Sequence, residues 1–170
     1  MAHGHGPDNI FNVEQLYEWK RIFQKNSITK TSNGDDCWGI DSKCLSYNWY
    51  KKVVMPIFQD FFNRDLKLIF ASYIDCLKTF PMHKDIKPLP EGGAGTHAVS
   101  ILVPFTLDYK FENFDKVSTD MFDEGGQLIE KLQWKQNSFV WWDSDTNHAS
   151  SDYETRGIHT KQYFITHTYV

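Results

Sequence analysis

Three residues of metal-binding type stand in a pattern that could assemble one site. His83 and Asp85 are two positions apart, and His148 follows 63 residues after the aspartate. In extended backbone, residues two apart project to the same side, so a histidine from a distant segment could close a triangle over one face of a metal ion. His83, Asp85 and His148, hereafter the triad, would leave the opposite face open, which suits a metal such as Fe(II) that also binds exogenous ligands.

A lysine further along the chain is the candidate partner for an acidic co-substrate. Lys161 lies 13 residues beyond His148, at the start of the predicted last strand. A buried lysine is costly unless it pairs with an anion, so an inward-facing Lys161 would indicate an anion site. Strand alternation leaves two choices open, since either Lys161 or Gln162 begins the inward-facing set. Arg156 is the second candidate, because a guanidinium binds carboxylates in a bidentate manner, although a solvated loop position explains it more simply.

Each of these signals also has an ordinary structural explanation. A histidine and an aspartate two positions apart occur by chance in many proteins as an exposed pair, and His148 could be a plain loop residue. Asp143 and Asp145 could instead supply carboxylates to a hard cation such as Ca²⁺, although an aspartate at the start of a turn explains them more simply. Cys37 and Cys44 are a weaker alternative for a metal or redox pair.

The elements predicted around these residues are helices first and strands afterwards. Helical spacing of apolar residues predicts helices at about 13–24 and 49–63, with Asn12 and Gln15 as a capping pair and Pro56 as a kink or a helix start. The polar stretch 25–46 is predicted to be a long loop or a pair of short strands. Strands are predicted at 66–77, 96–107, 127–134, 138–142 and 160–170. This order favours a β-sandwich or barrel with helices on one face.

Composition limits the classes to which the chain can belong. Its 170 residues, with 41% hydrophobic and 16% aromatic content, can form one domain with a sizeable core. No apolar stretch reaches the roughly 20 residues that cross a membrane, the start lacks the apolar core of a signal peptide, and a formal charge of −4 argues against a nucleic-acid partner. Three cysteines without a CxxC pair favour free thiols in a reducing cytoplasm. His3 and His5, which lie between glycines, are interpreted as a flexible leader outside the site.

The order of these features resembles the Fe(II)/2-oxoglutarate-dependent dioxygenases, in particular their prolyl-4-hydroxylase-like branch. A helical N-terminal part precedes a strand that ends in the HxD motif, several further strands, a distal histidine and a basic residue on the last strand. The resemblance covers about residues 66–170, while 1–65 fits only in its helical character. It implies a mainly β single domain over 1–170, with a double-stranded β-helix (jelly-roll) core supported by N-terminal helices.

The resemblance also assigns roles to individual residues. It implies that the triad binds Fe(II) and that Lys161 binds the far carboxylate of 2-oxoglutarate. The gap from His148 to Lys161 is longer than is usual in this branch, which keeps Arg156 as the alternative. Tyr73, upstream of the HxD motif, would hydrogen-bond the co-substrate, although core packing explains it equally well.

The implied activity is hydroxylation of an unidentified substrate: a peptidyl proline, an amino acid or another small molecule. The resemblance implies Fe(II) and 2-oxoglutarate, which would be converted to succinate and CO₂, with ascorbate as a candidate reductant. The segments 25–46 and 111–123 are candidate lids. Aromatic residues are candidates for a dry shell around the metal, or else for plain core: Phe105, Trp134, Phe139, Trp141 and Trp142.

The alternative function is a cupin-type β-barrel that binds a metal or another ligand without 2-oxoglutarate. Such a protein would place no cation opposite the metal from Lys161 or Arg156. The sequence predicts a small-molecule or peptide partner and no membrane partner, and it predicts no oligomeric state.

Overall fold

The computed structural model describes residues 2–23, 28–30, 36–40, 45–76, 80–85, 98–105, 117–151 and 161–169. Its helical segments are α1 Val13–Phe23, α2 Leu45–Trp49, a π-helical turn Tyr50–Val54 and α3 Met55–Phe62. Its strands are β1 His3–His5, β2 Ile28–Lys30, β3 Asp36–Ile40, β4 Lys67–Cys76, β5 Ala98–Pro104, β6 Ser118–Phe122, β7 Leu128–Gln133, β8 Val140–Asp143, β9 Asn147–Ser150 and β10 Lys161–Tyr169.

The helix ends follow from local side-chain chemistry. The predicted capping pair forms at the start of α1: the Gln15 N–H donates to Asn12 Oδ1, and the Asn12 N–H donates to Gln15 Oε1, each at 2.9 Å. The second predicted helix is divided, because Pro56 has no N–H to donate and sits in the first turn of α3 after a π-helical turn. Among the described residues, no helix is long and apolar enough to span a membrane.

The strands form two antiparallel sheets, which confirms the predicted sandwich of strands with helices on one face. The large sheet has the order β1-β8-β5-β10-β4-β3-β2, and the small sheet has the order β7-β6-β9. Segment 25–46 contains the short paired strands β2 and β3, which was one of the two predictions for it.

The prediction that 111–123 forms a lid is wrong for its last part, because 118–122 is β6, the central strand of the small sheet. Residues 111–116 lie outside the described residues.

Strand β10 shows how the sheet faces are divided. Phe164 packs on the helices, with its ring stacked on Trp19 at a centroid distance of 3.6 Å. Tyr163 and Ile165, at the alternate positions, pack between the two sheets. We call these two regions the helix-side core and the intersheet core. The intersheet core contains the side chains of Ile74, Leu102, Val117, Met121, Leu132, Trp134, Val140, Trp142, Tyr163 and Ile165.

The N-terminal residues are part of the large sheet. Strand β1 pairs with β8, with His3 opposite Trp142 and His5 opposite Val140. A Cβ at Gly6 would lie 2.3 Å from ring atoms of Phe139, so this position admits no side chain unless the ring moves. The interpretation of His3 and His5 as a flexible leader is therefore wrong. The alternating glycines, Gly4 and Gly6, leave room for the rings of Trp141 and Phe139 to pack against this segment.

Candidate metal centre

Backbone pairing brings the two halves of the triad together. His83 and His148 face each other across an antiparallel bridge, and each N–H donates to the carbonyl of the other at 2.9 Å. The Asp85 N–H donates to the Ser144 carbonyl at 2.8 Å. The HxD segment therefore lies along the edge of the small sheet beside β9. His148 belongs to strand β9, so the alternative that it is a plain loop residue is wrong.

The triad has the spacing of a metal ligand set. Its ligand atoms all lie within 4.8 Å of one another, which no other group of three His, Cys, Asp or Glu achieves within the described residues. His83 Nε2 lies 3.4 Å from Asp85 Oδ1, and His148 Nε2 lies 3.4 Å from Asp85 Oδ2. Two ligand atoms at about 2.1 Å from one metal and at right angles to each other are about 3 Å apart. Small adjustments would therefore bring all three onto one ion.

Hydrogen bonds fix which nitrogen of each histidine faces the centre. His83 Nδ1 lies 2.7 Å from the Pro81 carbonyl, and His148 Nδ1 lies 2.9 Å from the Thr146 carbonyl. A carbonyl oxygen can only accept, so each Nδ1 carries the hydrogen and donates it. In the neutral ring, Nε2 is then an acceptor that faces a carboxylate, which is also an acceptor. Three acceptors that converge in this way are stabilised by a metal ion or by a proton on one imidazole, and a carbonyl-anchored imidazole is the usual outer arrangement of a metal-binding histidine.

The electrostatics of the triad favour an ionised carboxylate. Burial would raise the pKa of Asp85, but the hydrogen bond with His83 and the nearby His148 and His167 outweigh it and hold that pKa far below its ordinary value. The hydrogen bond with Asp85 raises the pKa of His83, against the effect of burial. Burial lowers the pKa of His148, since desolvation outweighs the attraction of Asp85. The centre therefore holds one carboxylate, one readily protonated imidazole and one neutral imidazole.

The triad lies where the intersheet core meets the surface. The side chain of His148 is 6% exposed and that of His83 is 39% exposed, so one side of the centre is open to solvent. The Trp142 ring packs on His148 at a centroid distance of 4.6 Å. An open side next to a covered one is the arrangement that a catalytic metal requires if it is to admit a substrate.

The structure does not bring Tyr73 to the triad. Tyr73 is buried in the helix-side core beside Phe164, and its hydroxyl donates to the Phe105 carbonyl at 3.3 Å. The reason is strand parity: Ile74, one position on, is the residue of β4 that enters the intersheet core. Tyr163 is a tyrosine that does enter the intersheet core, on the same side of the large sheet as Trp142.

The two candidate cations are described to different extents. Lys161 begins β10 and pairs with Cys76, and only its backbone is described. Its position has the parity of Tyr163 and Ile165, which face the intersheet core. Arg156 lies outside the described residues.

The aromatic candidates divide between the two cores. Trp142 and Trp134 lie in the intersheet core, whereas Phe105, Phe139 and Trp141 lie in or against the helix-side core. Of these, Trp142 reaches the triad, and its Nε1–H donates to Asp85 Oδ2 at 3.1 Å.

The alternative ligands are placed as follows. Asp143 Oδ2 accepts from the Ala2 N–H at 2.8 Å, so this carboxylate secures β1. Asp145 is not in the group of converging ligands. Cys44 lies outside the described residues, as does the side chain of Cys37.

Sequence reasoning missed the polar residues that surround Asp85. Ser100 on β5 and His167 on β10 are directly paired across the sheet, and their side chains are 3.1 Å apart. Ser144 completes the group, with its Oγ 2.9 Å from Ser100 Oγ. Two-residue alternation along β10 groups His167 with Tyr163 and Ile165 on one face but gives it no role there. The register of β5 against β10 has no signal in a single sequence.

Comparison with solved structures identifies the fold. No protein-family model and no curated protein matches the sequence. The structure matches that of SnoN, the non-haem α-ketoglutarate-dependent epimerase from nogalamycin biosynthesis, with a TM-score of 0.67 at 10% identity over 98% of this chain and 76% of that one. It matches a 2OG-Fe(II) oxygenase family oxidoreductase from Burkholderia pseudomallei with a TM-score of 0.67 at 7% identity, over 98% and 84% of the two chains.

A third similar structure belongs to the branch that the sequence resembles. A prolyl-4-hydroxylase from Pseudomonas putida matches with a TM-score of 0.60 at 11% identity, over 98% of this chain and 91% of that one. At this level of identity, the likeness establishes the fold. The chain therefore has the jelly-roll fold of the Fe(II)/2-oxoglutarate oxygenases, as its sequence predicts.

Proposed function

We propose that this protein is an Fe(II)/2-oxoglutarate-dependent oxygenase. The observation that carries the proposal is the triad, in which both Nδ1–H groups are held by carbonyls while both Nε2 atoms converge on Asp85. Two imidazoles and one carboxylate on one side of a site are the ligand set that non-haem Fe(II) oxygenases use. The fold shared with oxygenases of this type supports the same conclusion.

The residues of the chain would provide binding, orientation and shielding. His83, Asp85 and His148 would hold the metal from one side, and the exposed side of His83 would admit the co-substrate and substrate. Trp142 would cover His148 and Asp85 on their buried side and exclude water from them. When bound, iron and 2-oxoglutarate would supply the oxidising chemistry, in which 2-oxoglutarate and O₂ yield succinate, CO₂ and an oxidised substrate. Ascorbate would serve as a reductant that keeps the iron in the Fe(II) state.

Lys161 is the proposed anchor for the far carboxylate of 2-oxoglutarate, with Arg156 in reserve. The parity of position 161 supports this choice, because the alternate residues of β10 face the intersheet core and the residues between them face the helices. An ammonium group in a partly dry pocket needs an anion, and a five-carbon diacid would supply one.

The substrate is proposed to be a small molecule or a peptide. One similar structure is a prolyl-4-hydroxylase and another is an epimerase in nogalamycin biosynthesis, so oxygenases of this fold act on both classes. We propose that the protein works in the cytoplasm, which rests on the free-thiol pattern of its cysteines.

The test is formation of succinate from 2-oxoglutarate by protein loaded with Fe(II), without added substrate. The proposal predicts succinate that depends on Fe(II) and O₂ and is lost in His83→Ala. Binding of the metal without any binding of 2-oxoglutarate would contradict it and would favour the cupin-type alternative.

A further inference from the structure

Four buried polar side chains surround the Asp85 carboxylate without belonging to the ligand set. Ser100, Ser144 and His167 are 0%, 3% and 8% exposed, and Trp142 is 1% exposed. Polar groups in such a position must be hydrogen-bonded, because a buried polar group without a partner loses its hydration and gains nothing in return. Their partners therefore show what the cluster does.

One assignment of the hydrogens directs the whole cluster towards the Asp85 carboxylate. Ser100 Oγ lies 2.9 Å from Ser144 Oγ and 3.1 Å from His167 Nδ1, and the hydroxyl of Ser100 contributes to lowering the pKa of Asp85. A hydroxyl has one hydrogen and two acceptor sites, and a carboxylate only accepts. When Ser100 donates towards Asp85, Ser144 and His167 donate to Ser100. In this assignment every hydrogen of the chain is directed towards the carboxylate.

The indole of Trp142 adds a second donor to the same carboxylate. Its Nε1–H lies 3.1 Å from Asp85 Oδ2, and its ring packs against His148. Trp142 and Ser100 are paired residues of neighbouring strands, and Ser100 is paired in turn with His167. A single row across the large sheet thus places Trp142, Ser100 and His167 side by side next to the carboxylate.

We propose that Trp142, Ser100 and His167 are positioning residues that hold the Asp85 carboxylate in place as a metal ligand. Two fixed donors stop the carboxylate from rotating and leave the remaining oxygen lone pairs for the ion. His167 acts through Ser100, since its Nδ1 lies 4.0 Å from Asp85 Oδ2. This inference rests on the proposed function, because it concerns the same metal centre.

The first test compares two tryptophan substitutions. Trp142→Phe removes the donor to Asp85, whereas Trp134→Phe removes an indole that donates to the Thr119 hydroxyl at 2.9 Å in the same intersheet core. Both create a similar cavity. Residues that support a ligand typically change metal affinity by about 10–100-fold, so we expect Trp142→Phe to weaken Co(II) binding by about that factor and Trp134→Phe to leave it unchanged.

The second test uses rescue at His167. Asparagine places an amide N–H near the position of Nδ1, so His167→Asn should keep the donor to Ser100 and bind Co(II) almost as the parent does. His167→Leu should lose affinity, as should Ser100→Ala. Ser138→Ala, which removes a hydroxyl that is also buried but lies away from the triad, should not. Thermal unfolding of each metal-free variant shows whether it is folded.

The outcomes separate this inference from the proposed function. Parent protein that binds neither Co(II) nor Fe(II) would overturn the proposed function, and the inference with it. Parent protein that binds the metal while Trp142→Phe and Ser100→Ala bind it equally tightly would overturn the inference alone. If His167→Asn loses as much affinity as His167→Leu, the role of His167 through Ser100 is wrong, and direct ligation by its ring becomes the explanation.

Discussion

Replacement of His148 by alanine should remove metal binding from a protein that remains folded. Structural zinc sites with four ligands contribute about 10–16 kcal/mol, which is about 3 kcal/mol for each ligand. Loss of one ligand of this triad should therefore weaken divalent-metal binding about a hundredfold or more. The same change also removes a buried ring, since the His148 side chain is only 6% exposed. We expect that cavity to lower the free energy of unfolding of the metal-free protein by about 2–4 kcal/mol.

A neighbouring substitution separates these two effects. Met121 is fully buried and lies opposite His148 in the pairing of β6 with β9. Met121→Ala should create a cavity of similar size next to the site while leaving all three ligands. It should therefore lose similar stability but keep the metal affinity of the parent.

The assay is thermal unfolding with and without Co(II), together with calorimetric titration. At a metal concentration a hundred times the Kd, the parent should gain about 2.7 kcal/mol, which for a chain of this length raises Tm by about 5–10 °C. Met121→Ala should show the same rise from a lower starting Tm, and His148→Ala should show almost none. An equal rise in His148→Ala would refute the assignment of His148 as a ligand.

Three further predictions concern the binding of 2-oxoglutarate by Lys161, the pH dependence of metal binding and the packing of strand β1. Lys161→Ala should weaken 2-oxoglutarate binding about 10–100-fold, because a charge-assisted hydrogen bond contributes about 1.5–3 kcal/mol. Its metal affinity should stay unchanged. If Arg156→Ala has the larger effect in the same titration, Arg156 and not Lys161 binds the far carboxylate. Metal affinity should fall as pH is lowered through the pKa of His83, because below that raised pKa the metal must displace a proton. The fall should be about tenfold per pH unit for one proton, and Co(II) titrations that show no pH dependence would exclude His83 as a ligand. Gly6→Ala should destabilise the fold by about 1–3 kcal/mol through its clash with Phe139. Gly4→Ala should cost less, because its Cβ would lie 3.2 Å from Trp141. Equal melting curves for the two variants would contradict the close packing of this segment against Phe139.

Much of the fold could be predicted because local signals agree with the final structure. Asn12 and Gln15 form the capping pair that their spacing indicates, and the five predicted strands correspond to β4, β5, β7, β8 and β10, whereas β6 and β9 were not predicted. Strand β1 was missed, because His3-Gly4-His5 has neither apolar alternation nor β-branched residues. Its pairing depends on rings of Trp141 and Phe139, which are distant in sequence.

The triad could be predicted because its residue types are rare in combination and the HxD spacing is local. The bridge between His83 and His148 could not, since it depends on the register of two segments that are far apart in the chain. Tyr73 shows the same limit, because a strand buried on both faces gives no signal for which face a tyrosine joins. The surroundings of Asp85 come from three strands, and no spacing in the sequence brings them together.

The measurement that tests the account most directly is anaerobic binding of 2-oxoglutarate to protein loaded with Fe(II), followed by admission of O₂ and measurement of succinate. The account predicts that one 2-oxoglutarate binds for each iron, that succinate then forms, and that His148→Ala shows neither while Met121→Ala shows both. Iron that binds to the triad but neither takes up 2-oxoglutarate nor yields succinate would contradict the proposed oxygenase function.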